Sequence, residues 1–306
     1  MKYVVFLLTI ALLFASCEKE VNIKLNGVEK KMVVEGIIEL NEVPYVSLTR
    51  SIGFFDKIDL SSVQYISNAQ VTVTDLNTSK SILLKEYVID TTIGNSTFNF
   101  SIYGPDFQDP DALNFKGQEG HIYQLSIQDG AASYSGITQI PANVGLDSVW
   151  IEPVPGKEDS FSVIKAIYND PDTFGNSVKL ETLAKRFKKD GSPELFYTSF
   201  NSVYNDDIIN GTKINLSIDL GYNKSRTYTR KEYQTIGYVR KGDTVTVKWS
   251  AIDKKVFTFW ETLSFSEGAV GNPFASPVQV TSTIPNAIGV WGGYGSKFYT
   301  LIDSIK

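Results

Sequence analysis

From Met32 to Ser250 the chain reads as short apolar or alternating runs, each stopped by Asn, Asp, Gly, Ser or Pro. A period of two is what a half-buried strand requires, because successive side chains leave a strand on opposite faces. Gln70-Val71-Thr72-Val73-Thr74-Asp75 shows it plainly, with Val71 and Val73 inward and Thr72 and Thr74 outward. The same reading predicts strands over Met32–Ile38, Tyr45–Thr49, Ile82–Tyr87, Thr97–Ile102 and Tyr134–Ile140. Gly120-His121-Ile122-Tyr123-Gln124-Leu125-Ser126-Ile127 enters its strand through a glycine turn. That rhythm puts Tyr123, Leu125 and Ile127 on one face and recurs in immunoglobulin-like sandwiches. Some seven strands within about 110 residues predict a two-sheet sandwich.

Pro141-Ala142-Asn143 then interrupts the pattern, and a fresh strand, Leu146–Ile151, follows with Trp150. The boundary is placed there, giving an immunoglobulin-like sandwich over 32–143 and a second β-rich domain over 144–306. Strands in the second half are expected over Ser162–Tyr168, Ser177–Ala184, Lys213–Leu220, Tyr233–Val239 and Asp243–Ser250. One segment departs from period two. Asp253–Glu267 carries Val256, Phe259, Trp260 and Leu263 at helical spacing, with Ser250 or Asp253 as N-cap and Gly268 beyond its end. The expected fold is therefore all-β: two β-sandwich domains, the first immunoglobulin-like, with one short amphipathic helix in the second. Core material is plentiful, at 42% hydrophobic residues with 18 Phe, 16 Tyr and 4 Trp, and Trp150 and Trp260 are assigned to it.

The single cysteine rules out an intramolecular disulfide, and its position says more than its number. Lys2 precedes an apolar run from Val4 to Phe14, and Cys17 stands directly behind Ala15-Ser16. A run of about ten residues is too short for the roughly 20 that span a bilayer, but has the charge and small-residue flanks of a secretory leader. Residues 1–16 thus read as a lipoprotein signal peptide, Cys17 as the lipidated first residue, and 17–31 as a polar tether. Lipid on that thiol is the expected membrane attachment. The formal net charge of −5 is mildly acidic and gives no case for nucleic acid, whose binding calls for clustered Lys and Arg.

Catalytic residues are hard to nominate. His121 is the only histidine and starts a strand, so it reads as a strand-edge residue. A serine triad would need it, and no Gly-x-Ser-x-Gly turn accompanies it. Zinc sites draw on several Cys and His, which this chain lacks. Asp106, Asp109 and Asp111, Asn169, Asp170 and Asp172, and Asn205, Asp206 and Asp207 offer oxygen ligands, but their spacing is that of turn caps and not of a calcium loop. Neither a metal nor a cofactor is expected. Gly289–Gly295 lacks Gly-Lys-Ser/Thr and is read as flexible backbone near Trp291 and Tyr294. Loop aromatics remain: Phe54, Phe55, Tyr197, Phe200 and Tyr204 are the candidates for contact with a ligand or partner.

Several segments in order resemble one family. They are Cys17-Glu18-Lys19, Lys31-Met32-Val33-Val34-Glu35-Gly36, Tyr45-Val46-Ser47-Leu48-Thr49 and Ile66-Ser67-Asn68-Ala69-Gln70-Val71-Thr72-Val73, then Gly120-x-x-Tyr123-x-Leu125 and Asn169-Asp170-Pro171. Gly271-Asn272-Pro273-Phe274-Ala275-Ser276-Pro277 and the run from Ile284 to Gly293 complete the set. Together they resemble Bacteroidota lipoproteins of the domain-of-unknown-function 4249 family, with Asn286-Ala287 where family members usually carry Asn-Gly or a similar pair. The resemblance implies an outer-membrane lipoprotein facing the cell exterior, often encoded beside a TonB-dependent transporter, with Glu18, Lys19 and Glu20 as the surface-sorting signal. It brings no catalytic residue. The expected role is a non-enzymatic accessory or binding subunit of a barrel transporter. A solitary glycan- or peptide-binding surface lipoprotein is the alternative, and a two-carboxylate hydrolase ranks third.

Overall fold

The computed structural model describes residues 29–52, 63–93, 96–185, 195–199, 201–269 and 278–304. The fold is all-β and sandwich-like, with few helices. Its first half holds β1 (Met32–Glu39), β2 (Tyr45–Arg50), β3 (Gln64–Tyr65), β4 (Gln70–Asp75), β5 (Lys80–Ile93), β6 (Ser96–Gly104), α1 (Pro110–Asn114), β7 (Ile122–Asp129) and β8 (Ala132–Gln139). Its second half holds β9 (Ser148–Pro153), β10 (Phe161–Asn169), β11 (Ser177–Lys185), β12 (Val203–Asn205), β13 (Lys213–Ile218), α2 (Arg230–Tyr233), β14 (Val239–Arg240), β15 (Thr244–Ile252), α3 (Lys254–Ala269) and β16 (Ile288–Ile302). Hydrogen bonding links them into a 12-stranded path, β12-β11-β15-β16-β1-β2-β6-β5-β4-β7-β8 with β3 beside β2, and a four-stranded sheet of β9, β10, β13 and β14.

The first core forms where the long path doubles over on itself. β5 makes the corner: Lys80–Leu84 pair with β4, whereas Lys85–Ile93 pair with β6. Val34, Val46 and Leu48 consequently pack in one cluster with Val71, Val73, Tyr123, Leu125 and Ile127. The alternation in β4 and β7 is thus the alternation between this core and the outside.

That core is closed by a strand from the far end of the chain. Residues 288–294 of β16 run parallel to β1, and residues 294–302 run antiparallel to β15, so one strand serves both halves. Ile284, Ala287 and Trp291 accordingly join the first cluster, although they lie beyond the boundary drawn at 143/144. Gly289–Gly295 is strand and not flexible loop. Its Trp291 is fully buried, its indole N–H donating to the Tyr123 carbonyl at 3.0 Å. Gly36, opposite Trp291 in β1, makes room: a Cβ there would lie 2.7 Å from the indole ring.

The second core lies between the small sheet and the β11-β15-β16 end of the large one. Ile164, Ala166, Ile218 and Val239 pack with Val178, Leu180, Val245, Val247 and Trp249. Two expectations need correction here. Tyr233–Val239 is not a strand, because Thr229 and Glu232 form a capping box that starts α2, and only Val239–Arg240 pair as strand. Trp150 is half-exposed instead of core, since β9 is an edge strand, and its indole donates to Glu152 at 2.7 Å. The linker between the halves is pinned by buried Asn143, whose amide donates to the carbonyls of Trp249 and Gly295.

Candidate functional site

The helix α3 organises the side of the large sheet that faces away from the first two cores. Asp253 is its N-cap, accepting from the Lys255 and Val256 N–H groups at 2.8 and 2.9 Å. The other oxygen of Asp253 accepts from the Thr138 hydroxyl of β8 at 2.8 Å, so the start of α3 is fastened to the first half of the molecule. The expected apolar stripe does the packing. Val256 and Phe259, with Trp260 and Leu263 at its margin, cover Ile252, Val290 and Tyr294. Phe257 adds to this third cluster. Trp260 donates its indole N–H to the Tyr294 hydroxyl at 2.9 Å, and burial pushes the Tyr294 phenol pKa up.

A charged row lies beside that cluster on the same face. Glu181 and Lys248 are direct cross-strand neighbours in β11 and β15. Lys179 reaches Glu181 at 2.8 Å, and Lys248 reaches Glu39 of β1 at 2.9 Å. All four side chains are largely buried. The Lys179 ammonium also sits 4.2 Å from the Trp260 ring centroid, a cation–π contact. Burial lowers the pKa of Lys179, with Glu181 opposing the shift.

Farther along α3, a second face opens onto a cleft of about 940 Å³. Glu261, Ser264, Phe265 and Gly268 line it, spaced as neighbours on one helical stripe. Asn201, Ser202 and Val203, next to and within the short strand β12, border it as well. The facing wall comes from 222–233. There Tyr222, Tyr228 and Tyr233 pack edge to face, with ring centroids 5.9, 6.1 and 6.3 Å apart. Glu232 holds this wall: it accepts from the Thr229 backbone N–H at 2.8 Å and from Arg226 at 2.8 Å, while the Arg226 guanidinium lies 4.9 Å from the Tyr228 ring. The bond from the Thr229 N–H, then that from its hydroxyl, holds the Glu232 carboxyl below its ordinary pKa. Lys224 closes one side of the cleft with an ion pair to Glu267 of α3 at 3.1 Å. Burial, followed by the neighbouring Tyr233, raises the Tyr222 phenol pKa.

The residues nominated from sequence are elsewhere. Cys17, Glu18, Lys19, Glu20, Phe54, Phe55 and Phe200 lie outside the described residues. Tyr197 is half-buried and bridges Thr182 of β11. Tyr204 is partly exposed on β12 and donates its hydroxyl to the Asn201 carbonyl at 3.2 Å; its neighbour Val203, and not Tyr204, lines the cleft. Tyr222, Tyr228 and Tyr233 were not singled out. A signal was available for Tyr222 and Tyr228, spaced tyrosines in a stretch rich in Asn, Ser, Thr, Lys and Arg, whereas Tyr233 falls at the start of the strand expected over Tyr233–Val239.

His121 faces Asp75, Nδ1 to Oδ2 at 2.9 Å. Burial works against the Asp75 charge, but bonds with His121, Thr78 and the Asn77 N–H outweigh it and lower its pKa. The acidic clusters act as turn caps. Asp206 accepts from Gly175 and Asn176 N–H, Asp170 from Gly211 N–H, and Asp109 from Asp111 N–H at the start of α1. Among the described residues no group of three or more His, Cys, Asp or Glu is placed to hold a metal ion, and no helix is long and apolar enough to cross a membrane.

Fold and cleft define an all-β protein of two cores joined through shared strands, with a mixed aromatic and polar depression beside its main helix. The chain belongs to the domain-of-unknown-function 4249 family, whose model matches residues 18–299. No curated protein matches it.

Proposed function

We propose that this protein is a Bacteroidota outer-membrane lipoprotein, anchored through Cys17 and facing the cell exterior, that binds a ligand without converting it and serves a TonB-dependent transporter as an accessory subunit. The observation that carries the binding role is the cleft, where exposed aromatic rings sit beside two ion pairs, Lys224 with Glu267 and Arg226 with Glu232. Its two lining acids, Glu261 and Glu267, both stand on α3 and therefore do not flank a bond from opposite walls, as glycoside hydrolysis requires. Anchoring is supported by the apolar run from Val4 to Phe14 with Ala15-Ser16-Cys17 behind it. A solitary glycan- or peptide-binding surface lipoprotein is the second reading, favoured by the exposed Tyr233 and Phe265 in the cleft lining.

Affinity purification of the lipidated protein from its native envelope separates the two. Stoichiometric recovery of a barrel transporter is the expected result; recovery of the protein alone would shift the assignment to the solitary binder. Cys17→Ser is expected to release the protein from the envelope or leave its precursor unprocessed, read by fractionation and intact mass. Persistence of a lipid-free wild-type form in the envelope would overturn the anchoring.

A further inference from the structure

The chemistry of the cleft narrows its ligand. Tyr222, Tyr228 and Tyr233 touch one another, with centroids no more than 6.3 Å apart, so no space remains among them for a cation. Arg226 already lies against Tyr228. A cage for an ammonium ligand is therefore not what these rings build. An anionic ligand is equally poorly served, because both cations in the wall are paired to carboxylates. What stays available is uncharged or acceptor in character. Tyr233 is 59% exposed on one wall and Phe265 is 63% exposed on the other. Glu261, a half-buried lining residue one turn before Phe265 on α3, has no hydrogen-bond or ion-pair partner among the described residues. The hydroxyl of Ser264 and the amide of Asn201 add donors and acceptors nearby.

A pyranose ring has the matching surface. Its C–H faces pack on aromatic rings, and adjacent hydroxyls donate to the two oxygens of one carboxylate. An extended peptide instead needs a row of unpaired backbone groups to pair with, and beside a helix and a turn-rich segment this cleft offers only Val203 of the three-residue edge strand β12. Resting on the binding role proposed above, we infer that the cleft takes a neutral oligosaccharide, stacked on Tyr233 and Phe265 with its hydroxyls on Glu261.

The test titrates the full lipidated protein in detergent by calorimetry. The probes are neutral hexasaccharides of glucose, mannose, galactose and xylose, with uncharged hexapeptides in parallel. At least one saccharide series is expected to bind with little salt dependence. Tyr233→Ala and Glu261→Gln should each weaken it about tenfold or more, about 1.4 kcal/mol, while Leu83→Ala, on β5 and away from the cleft, leaves it unchanged. Thermal unfolding of the variants verifies that the fold persists. Binding by the peptides alone, no binding by any saccharide, or saccharide binding indifferent to both cleft variants would each overturn the assignment. Transporter co-purification without saccharide binding would defeat the ligand class and leave the accessory role standing; saccharide binding by a protein free of the envelope would do the reverse.

Discussion

Trp291 and Lys179 lie on opposite faces of the same sheet, and they are buried by different means. Trp291 is enclosed by aliphatic and aromatic side chains of the first core, with one hydrogen bond to the Tyr123 carbonyl. Lys179 is enclosed by α3, and Glu181 and the Trp260 ring support its charge against burial and the neighbouring Lys248. The apolar face derives its stability from area removed from water and from close packing. The charged face gains little net stability from its ion pairs, yet it is costly to disrupt one partner at a time. The cleft sits on this second side, where a helix and a polar turn leave rings exposed.

The largest expected effect tests the apolar face. Trp291→Ala should cost about 3–5 kcal/mol, since it leaves a cavity at a site where Gly36 offers no side chain to collapse inward. Because β16 belongs to both halves, denaturant unfolding followed by far-UV and near-UV signals should shift as one transition. Two separated transitions would show that the shared strand does not couple the cores. On the charged face, Glu181→Leu alone should cost about 3 kcal/mol by stranding Lys179, whereas the double change Lys179→Met with Glu181→Leu should recover most of that loss. Equal destabilisation by the single and double variants would mean that the pair matters for packing and not for charge balance. Next comes Asp253→Ala, which removes the cap of α3 and its tie to Thr138 and should lower stability by about 1–2 kcal/mol. A drop confined to helical signal, with the rest unaffected, would show that the helix is not coupled to the sheet.

Smallest is the effect of pH through Asp75. Its pKa is lowered below the ordinary 3.8, so its contribution is fully present above that value and is lost as pH falls through the folded-state pKa. Asp75→Asn should therefore be less stable than wild type by about 1 kcal/mol at pH 6, and the gap should close at strongly acid pH. A gap independent of pH would assign the effect to shape and not to charge.

Much of the fold was legible because it is local. β4 occupies the expected residues, and α3 begins at one of the two N-caps proposed, Asp253. The stripe Val256, Phe259, Trp260 and Leu263 packs as its spacing required. Trp150 was not legible, because edge or centre is decided by which strands pair and not by the strand itself. The cleft was harder still. Tyr222 and Tyr228 follow no strand or helix period, Tyr233 was read into a strand, and their common wall depends on the bonds of Glu232 to Thr229 and Arg226.

Taken alone, the amino-acid order determined that the chain would be built from strands, where most of them would run, and that one amphipathic helix would interrupt them. Those properties follow from periodicity and local steric preference, which a few consecutive residues express by themselves. Tertiary structure alone decided that β16 would pair with β1 and β15, that Lys179 would be buried beside Trp260, and that a tyrosine wall would face α3. The reason is physical: partners that meet from distant parts of the chain are selected by which buried surfaces and charges fit together, and no window of sequence contains both sides of that fit.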